Sequence, residues 1–434
     1  MKRILRIALR LVHTAIESVR LEGDPVILAV GAHKRYRGRC PVCGRAVPVY
    51  DAMPHPRKWR TLDLGGTKCY LESSLRRVSC PVHGVRVEAV PWARHGSRFS
   101  GPFEDEVAWL SVHCCRSAVS ELARIDWKSV GPICKRVHDD LEAERGGSRF
   151  DGLRRIGIDE TSYKKGHKYM TVVVDHDRCR VVWACKGHGK EQLKSFFSLL
   201  SVEQKSSTEV VSADGASRIA DVVAEFCPDA ERVMDPFHVV SWATSALDDL
   251  RKQAWRDARK ATGATMAGKR IGPQKCDATP ADKARAKAIK RSRYSLLKNP
   301  ENLTESQAAA LGSIARQDGR LYRGYLLKEG LRDVFKSADG EEACMRFRSW
   351  PSWACRSRIP EFVELSRKVR RRKDAIVRAV ALGMSNARVE AINNKIKSTV
   401  RMGYGFRNID NLIALVMLRC SDLRPVLPGR VQKM

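Results

Sequence analysis

Two short stretches of the sequence carry the same pattern of metal-ligating side chains. Residues 40–44 read CPVCG and residues 80–84 read CPVHG. Each stretch places two soft ligands three positions apart on a tight turn, with Pro between them and Gly after them, so both side chains can face one tetrahedral ion. Together they predict a structural Zn²⁺ site. Its predicted ligands are Cys40, Cys43, Cys80 and His83.

Other residues remain alternative ligands, because the segment between the two pairs is longer than is usual in a zinc ribbon. Cys69, His33 and His55 are close enough in the sequence to compete for the ion. A buried free cysteine can also serve as a small apolar residue. The duplication of the pattern favours zinc over that interpretation.

Two acidic residues are predicted to meet at one edge of a β-sheet. Asp159 lies at the end of a β-rich run and Asp214 ends a later run, TEVVSAD. Mg²⁺ prefers hard oxygen ligands and keeps water and phosphate in the rest of its shell. Two such ions about 4 Å apart activate a water or a 3′-hydroxyl and stabilise the leaving oxygen in an in-line displacement. The pair therefore predicts Mg²⁺- or Mn²⁺-dependent phosphodiester chemistry.

The motif DPFHVV at residues 235–240 supplies an alternative carboxylate. Asp235 ends the fifth predicted strand and competes with Asp214 for the metal-binding role. With His238, it can instead cap the following helix, support the metal site or orient the substrate. His238 is a secondary candidate for a catalytic base, although a metal-bound water needs none.

A helix near the C-terminus offers a third carboxylate. Glu390 shares one helical face with Asn394, Lys397 and Arg401, so this surface can hold a metal and the phosphates beside it. The same spacing is also common in helices that merely pair opposite charges. The helix is predicted to be capped at residue 385 or 386. Its apolar side consists of Val389, Ile392, Ile396 and Val400.

The central third of the chain must position these acids, and its pattern changes to strands at residue 154. Three β-rich runs are followed by a helix over 190–200, the strand TEVVSAD, a helix over 216–226 and the strand ERVMD. This order, βββαβαβ, is that of an RNase H-like domain. In that topology the first and fourth strands lie side by side, so Asp159 and Asp214 are expected to meet.

The segment before the strands predicts a DNA-reading element. The spacing of apolar and polar residues over 117–137 is typical of a helix-turn-helix, with one helix over 117–123 and a second from about residue 127. Lys128, Lys135 and Arg136 are predicted to lie on the polar side of the second helix and to bind DNA. A plain helical hairpin is the alternative. The first residues predict an amphipathic helix, and ERGGSR at 144–149 predicts a domain boundary.

The overall charge points to a polyanionic partner. The 434 residues include 80 Lys+Arg and 49 Asp+Glu, a net charge of +31, with 43% hydrophobic residues. Residues 251–300 alone contain 15 Lys+Arg against 3 Asp+Glu, which favours a helical surface on DNA. The most apolar stretch, 412–418, is far shorter than the roughly 20 residues that span a bilayer, so no membrane association is predicted. We expect a cytoplasmic protein that associates with nucleic acid.

These motifs together resemble a bacterial DDE transposase of the ISL-three insertion-sequence family. The resemblance is carried by CPVCG with CPVHG, the helix-turn-helix segment, IGIDETSYKKGHKY, SADGAS, DPFHVV and SNARVEAINNKIKSTVRMGYGFRN, in that order. It implies a zinc-binding segment, a helix-turn-helix and an RNase H-like core interrupted by a helical insertion before the last acid. It also implies a catalytic triad of Asp159, Asp214 and Glu390, which would bind Mg²⁺.

The leading hypothesis is a transposase that binds the terminal inverted repeats of its element, cleaves there and transfers strands to target DNA as a homo-oligomer. Lys397 and Arg401 would hold the DNA end. The alternatives are a catalytically silent DNA-binding regulator and an RNase H-like structure-specific nuclease. The predicted division is a helical segment (1–39), a zinc-binding domain (40–100), a helix-turn-helix domain (101–145), a first core part (150–240), a basic helical insertion (241–384) and a last core part (385–434).

Overall fold

The computed structural model describes residues 1–164, 166–213, 216–234, 236–261, 280–337, 340–382 and 387–430. Within its helices, the side chains at positions 217, 261, 281, 282, 340 and 387–390 are outside the description. No helix in the described part of the chain is long and apolar enough to cross a membrane.

The N-terminal segment is mostly β-structure, so the prediction of a helical segment over residues 1–39 is wrong beyond its first turns. Helix α1 covers Lys2–Ala8, and strands β1 (Thr14–Leu21) and β2 (Val26–Ala32) form an antiparallel hairpin. β-branched side chains such as Ile16 and Val30 favour strands, and both are buried. The hairpin joins β4 (Arg57–Leu64) and β5 (Thr67–Ser73) in the order β1-β2-β5-β4. The predicted boundary between residues 39 and 40 therefore divides a single folded unit.

The metal-ligating pairs lie beside a second, smaller sheet. Strands β3 (Val49–Ala52), β6 (Arg76–Cys80) and β7 (Gly84–Val87) are ordered β3-β6-β7 and pair antiparallel. Three helices follow, α2 (Gly101–His113), α3 (Arg116–Ala123) and α4 (Trp127–Ala143). The turn before α4 has Arg124 in the left-handed conformation, and the Asp126 side chain caps α4 by accepting from the Lys128 backbone N–H at 2.8 Å. The predicted helix-turn-helix is confirmed.

The central sheet has the predicted element order with one additional short helix. Strands β8 (Arg155–Lys164), β9 (Lys168–Asp175) and β10 (Arg180–Lys186) form an antiparallel meander. Helices α5 (Lys190–Phe197) and α6 (Val202–Ser206), strand β11 (Val210–Ala213), helix α7 (Ser217–Phe226) and strand β12 (Glu231–Met234) follow. The strand order is β10-β9-β8-β11-β12, with β8, β11 and β12 parallel to one another. The first and fourth strands of this unit are thus neighbours, as predicted.

The remainder of the described chain is helical, and strands are absent from its described residues after Met234. Helix α8 (Pro236–Ala261) starts directly after Asp235, so the predicted boundary between residues 240 and 241 falls inside one continuous helix, a correction to the predicted division. The later helices are α9 (Pro280–Arg291), α10 (Arg293–Leu297), α11 (Glu305–Gln317), α12 (Gly319–Val334), α13 (Gly340–Arg356), α14 (Pro360–Arg371), α15 (Lys373–Ala381), α16 (Ala387–Met402) and α17 (Ile409–Cys420).

The helix-turn-helix and the central sheet share one apolar core. Val107 of α2 and Ile133 of α4 are buried in the same cluster as Val172 of β9, Ile396 of α16 and Leu412 of α17. The other face of the sheet is covered by α5 and α7. Helices α8 to α15 enclose another core, to which Met234 of β12 also belongs. The N-terminal sheet likewise has its own core, which includes Leu28, Trp59 and Leu71.

Candidate active site and metal centre

The four predicted zinc ligands converge on one point. Their ligand atoms all lie within 4.8 Å of one another. His83 Nδ1 is 3.6 Å from Cys40 Sγ and 3.5 Å from Cys80 Sγ, and Cys43 Sγ is 3.8 Å from Cys80 Sγ. A tetrahedral ion with Zn–S bonds of about 2.3 Å needs sulfur atoms about 3.8 Å apart. The cluster therefore has the ligand types and the dimensions of a structural zinc site.

Equivalent turns hold the two halves of this cluster. Gly44 and Gly84 both have a φ of 68°, in the left-handed region that glycine adopts without strain. The Gly44 N–H donates to the Cys40 carbonyl at 2.9 Å, while Cys80 pairs with Gly84 where β6 meets β7. Hydrogen bonds from the backbone, that of Cys43 first, lower the pKa of Cys40 to about 6, which favours the thiolate that a metal requires.

The alternative ligands lie elsewhere. Cys69 is fully buried in the core of the N-terminal sheet, and burial raises the pKa of its thiol to about 11. Such a thiol behaves as a small apolar side chain. His33 and His55 are exposed and do not belong to the cluster of ligand atoms.

Asp159 lies on β8, the middle strand of the central sheet, between β9 and β11. The prediction that it ends this strand is wrong, because β8 continues to Lys164. Its side chain is 19% exposed, and its Oδ1 is 3.9 Å from His238 Nε2 on α8. This separation is too long for a hydrogen bond but brings an imidazole beside the carboxylate. The described residues that line the cleft around it are Asp159, Glu160, His167, Tyr169, His188, Arg218 and His238.

Several residues of this cleft were not predicted from the sequence. Glu160 is ion-paired with Arg218 of α7, and its Oε1 is buried with no hydrogen-bond partner among the described residues. The rings of Tyr169 and His188 meet edge to face with centroids 4.7 Å apart. Two adjacent acids in one strand are the signal that could have identified Glu160. His167 and His188 lie in the connections β8–β9 and β10–α5, where no periodic sequence pattern shows that they share one cleft.

Strand β8 is closely packed at Gly157, two residues before Asp159. His176 Nε2 and Ser212 Oγ are 2.6 Å apart in a buried hydrogen bond. A Cβ atom on Gly157 would lie 2.8 Å from His176 Nε2 and 3.2 Å from Ser212 Oγ. Glycine is therefore required two residues before Asp159, because any side chain would clash with the hydrogen bond that joins the end of β9 to β11 across β8.

The other predicted acids are only partly described. Asp214 and Asp235 lie outside the described residues; in the sequence they follow Ala213 and Met234, the last residues of β11 and β12. Glu390 belongs to α16, although its side chain is not described. Helix α16 packs against β8, the strand of Asp159.

The rest of the predicted α16 face follows its pattern. Ile392 and Ile396 are buried, and Val400 packs against the same core; the Val389 side chain is not described. Asn394, Lys397 and Arg401 are exposed on the other side. The two cations are thus free of the core and face solvent.

The three predicted cations of α4 have different surroundings. Lys128 is exposed, and Lys135 is exposed beside Asp139 at 2.5 Å. Arg136 instead donates from Nε to Glu104 Oε1 at 2.8 Å, and Glu104 is fully buried. Arg136 therefore serves the packing of α2 against α4, an assignment that the helical pattern alone did not indicate.

Comparisons with known proteins cover nearly the whole chain. A family profile described as "Transposase" matches residues 156–416. A profile described as the zinc-finger of transposase IS204/IS1001/IS1096/IS1165 matches residues 37–83, and one described as the helix-turn-helix domain of transposase family ISL3 matches residues 88–138. The zinc cluster and the strand of Asp159 lie within these matched segments.

Similarity to individual proteins is equally extensive. The transposase for insertion sequence element IS1557 of Mycobacterium tuberculosis is 48% identical over 423 residues, which cover 96% of this chain and 95% of that protein. The transposase for insertion sequence element IS1001 of Bordetella parapertussis is 24% identical over 372 residues, which cover 85% of each chain.

Proposed function

The chain belongs to the ISL3 family of transposases, and on this premise we propose that it binds the terminal inverted repeats of its own insertion sequence, cleaves the DNA there and transfers the strands to a target. The observation that carries the proposal is the position of Asp159, on the middle strand of the sheet, next to β11 and against α16. Strand β8 contains Asp159, helix α16 contains Glu390, and strand β11 directly precedes Asp214 in the sequence. We expect the protein to act on DNA in the bacterial cytoplasm.

The strand order supports an RNase H-like core, in which Asp159, Asp214 and Glu390 form the catalytic triad. Strands β8 and β11 are parallel, with Ser212 opposite Gly157. Asp214 and Asp159 each come two residues after these partners in the sequence. Two adjacent parallel strands with the same offset bring carboxylates to one edge of the sheet. Asp235 is the second candidate for the middle acid.

The donor set fits Mg²⁺ or Mn²⁺, since it consists of carboxylate oxygens with His238 beside them. When bound, the ions would activate a water or a 3′-hydroxyl and stabilise the leaving oxygen. His238, 3.9 Å from Asp159, would support the metal site from beside that carboxylate. Lys397 and Arg401, exposed on α16, would hold the phosphates of the DNA end.

The zinc cluster would bind Zn²⁺ and stabilise the small sheet. Lys128 and Lys135 of α4 would contact DNA, whereas Arg136 is assigned to the contact with Glu104. The two ends of the insertion sequence must be brought together in one reaction, so we propose a homo-oligomer on DNA. The domain division departs from the predicted one at the two corrected boundaries, and the helix-turn-helix shares its core with the central sheet.

The test is cleavage of a supercoiled plasmid that carries the DNA flanking this gene, with Mg²⁺ or Mn²⁺. We expect cleavage at the flanking repeats by the wild type and none by Asp159→Asn or Asp214→Asn, while both variants still bind the repeats in a gel-shift assay. Asp221→Asn, which changes an exposed carboxylate of α7, is the matched control. Loss of cleavage in Asp235→Asn but not in Asp214→Asn would reassign the middle acid. Tight binding by a wild type that never cleaves would contradict the proposal and favour a regulator.

A further inference from the structure

The loop between α16 and α17, residues 403–408, holds a tyrosine where a helix end normally has glycine. The Tyr404 N–H donates to the Arg401 carbonyl at 3.0 Å, and the Gly405 N–H donates to the Val400 carbonyl at 3.2 Å. This pair of bonds is a Schellman motif, in which the residue at the position of Tyr404 is left-handed and most often glycine. Tyr404 has a φ of 50° there. A bulky side chain strains this conformation, so glycine would be the more stable residue.

The packing of the loop does not explain the tyrosine. Its side chain is 80% exposed, whereas Phe406, two residues later, is buried in the core that the helix-turn-helix shares with the central sheet. A Cβ on Gly403 would lie 2.5 Å from the Phe406 ring, so these two residues fix the loop closely against that core. The fold thus holds the backbone of Tyr404 in place and leaves its ring in solvent. Strained residues of this kind are concentrated at functional sites.

The loop lies beside the start of α4, the second helix of the helix-turn-helix. The guanidinium carbon of Arg116 is 5.8 Å from the centre of the Phe406 ring and 4.8 Å from that of the Trp127 ring. Arg116 Nε also donates to the Trp127 carbonyl at 3.0 Å. Trp127 is the first residue of α4. The first residues of such a helix are the ones that reach the base edges of DNA, so the loop is placed next to that contact.

The charge of the loop favours DNA as the molecule that covers the ring. Residues 401–408 include Arg401 and Arg407, which are both exposed, and no acidic residue. Lys128, in the first turn of α4, is exposed as well. Such cations bind phosphates, which positions the duplex without reading its bases. An aromatic ring held between them can stack on a base, and in a duplex this requires one base step to open.

We infer that Tyr404 inserts its ring at one base step of the terminal repeat, next to the base pairs that α4 reads, while Arg401 and Arg407 bind the flanking phosphates. The inference rests on the proposed function, because the duplex is the terminal repeat that the protein is proposed to bind. Opening a step costs least where a pyrimidine precedes a purine, so the insertion also favours repeats with such a step at this position.

The first test separates the ring from the stability of the fold. Tyr404→Gly removes the ring and suits the left-handed backbone, so its melting temperature should equal or exceed that of the wild type. Its affinity for the repeat, measured by fluorescence anisotropy with Ca²⁺ in place of Mg²⁺, should nevertheless fall about tenfold. Tyr404→Phe should bind as the wild type does. Leu199→Ala, which shortens an exposed apolar side chain after α5, on the other face of the central sheet, is the control.

The second test locates the opened step. Adenines of the repeat are replaced one at a time by 2-aminopurine, whose fluorescence rises when neighbouring bases no longer stack on it. At saturating protein, the wild type and Tyr404→Phe should raise the fluorescence at one step and leave the other positions unchanged. Tyr404→Gly, also at saturation, should raise it nowhere. A structural role of Tyr404 alone would not produce a signal confined to one step.

The outcomes separate this inference from the proposed function. Equal affinity of the wild type and Tyr404→Gly, or a wild type that opens no step, overturns the inference, and cleavage at the repeats would still support the transposase proposal. A change in the mass of the free protein in Tyr404→Gly, with unchanged DNA affinity, would assign the ring to a second copy of the chain instead. A Tyr404-dependent signal without any cleavage supports the inference and counts against the catalytic proposal. A wild type that does not bind the repeats contradicts both.

Discussion

The zinc-ribbon region and the helix-turn-helix both precede the central sheet in the chain, but they are packed in different ways. The zinc-ribbon region, residues 37–83, contributes strands β4 and β5 to the N-terminal sheet, whose buried side chains, such as Trp59 and Leu71, pack against one another. The helix-turn-helix has no comparable core of its own, because Ile133 and Val137 of α4 pack into the cluster that contains Val172 and Leu412. The polar segment 144–149 thus interrupts the sequence pattern without separating two cores. The DNA-reading helices are fixed relative to Asp159.

The prediction with the largest expected effect tests whether the zinc-ribbon region folds independently of the helix-turn-helix. Removing Zn²⁺ with a chelator, or introducing Cys43→Ser, should destabilise the small sheet by several kcal/mol, because structural zinc supplies much of the folding free energy of such modules. Hydrogen exchange should show protection lost in β3, β6 and β7 and retained in α4 and α17. Cys355→Ser, at an exposed cysteine, is the control. Loss of protection throughout α4 would show that the two regions are not independent.

The next prediction tests whether the helix-turn-helix and the central sheet form one folded unit. Glu104 is fully buried, accepts from Ser97 Oγ at 2.7 Å and is paired with Arg94 and Arg136. Glu104→Ala leaves both guanidinium groups without this partner, and we expect a loss of about 3–5 kcal/mol. Glu121→Ala, at an exposed acid of α3, should cost less than about 0.5 kcal/mol. Because the core is shared, amides of β9 should also exchange faster in Glu104→Ala; unchanged exchange there would argue for separate units.

A third, smaller effect concerns the contact between α4 and α17. A Cβ on Gly131 would lie 2.6 Å from Asn411 Nδ2. Gly131→Val should therefore destabilise the protein by about 1–3 kcal/mol, because the added side chain overfills the contact. Gly312→Val, in α11, where nothing lies within 4 Å of the new Cβ, is the matched control and should be close to neutral. Urea denaturation measures both values, and equal stabilities would mean that the helices do not meet as described.

The smallest expected effect comes from breaking an ion pair between the end of α4 and the C-terminal segment. Asp422 accepts from Arg145 at 2.6 and 2.9 Å and also pairs with Arg180, and the hydrogen bond from Arg145 lowers the pKa of Asp422 to about 2. The lowered pKa stabilises the fold above the unfolded-state pKa of about 3.9, and this contribution is lost as the pH falls towards 2. Asp422 is partly exposed, so Asp422→Asn should cost below about 1 kcal/mol at pH 7. The difference from the wild type should shrink between pH 5 and pH 3; a constant difference would contradict the assignment.

Much of this architecture was predictable because local chemistry determined it. The spacing of residues 117–137 and the change of period at residue 154 located the helix-turn-helix and the central strands. The duplicated Cys and His spacing identified four ligands that the fold brings within 4.8 Å. These features depend on residues that are close in sequence or on a pattern that repeats.

The features that were not predicted depend on distant partners. The helical period places Arg136 on a polar helix face. In the structure Arg136 donates a hydrogen bond to Glu104, which is 32 residues away in the sequence. The β-hairpin of residues 14–32 was hidden by the helical spacing of arginines that precede it. Glu160 and Arg218 meet only because β8 and α7 are neighbours in the fold.

The contact between α4 and α17 has a consequence for synthesis on the ribosome. Helix α4 emerges early, yet the helix that covers its apolar side begins at Ile409, more than 260 residues later. Until that segment has left the ribosome, Ile133 and Val137 lack part of their native cover. A nascent chain therefore cannot complete its DNA-reading unit, and a truncated product that lacks α17 would expose this apolar surface to chaperones and proteases.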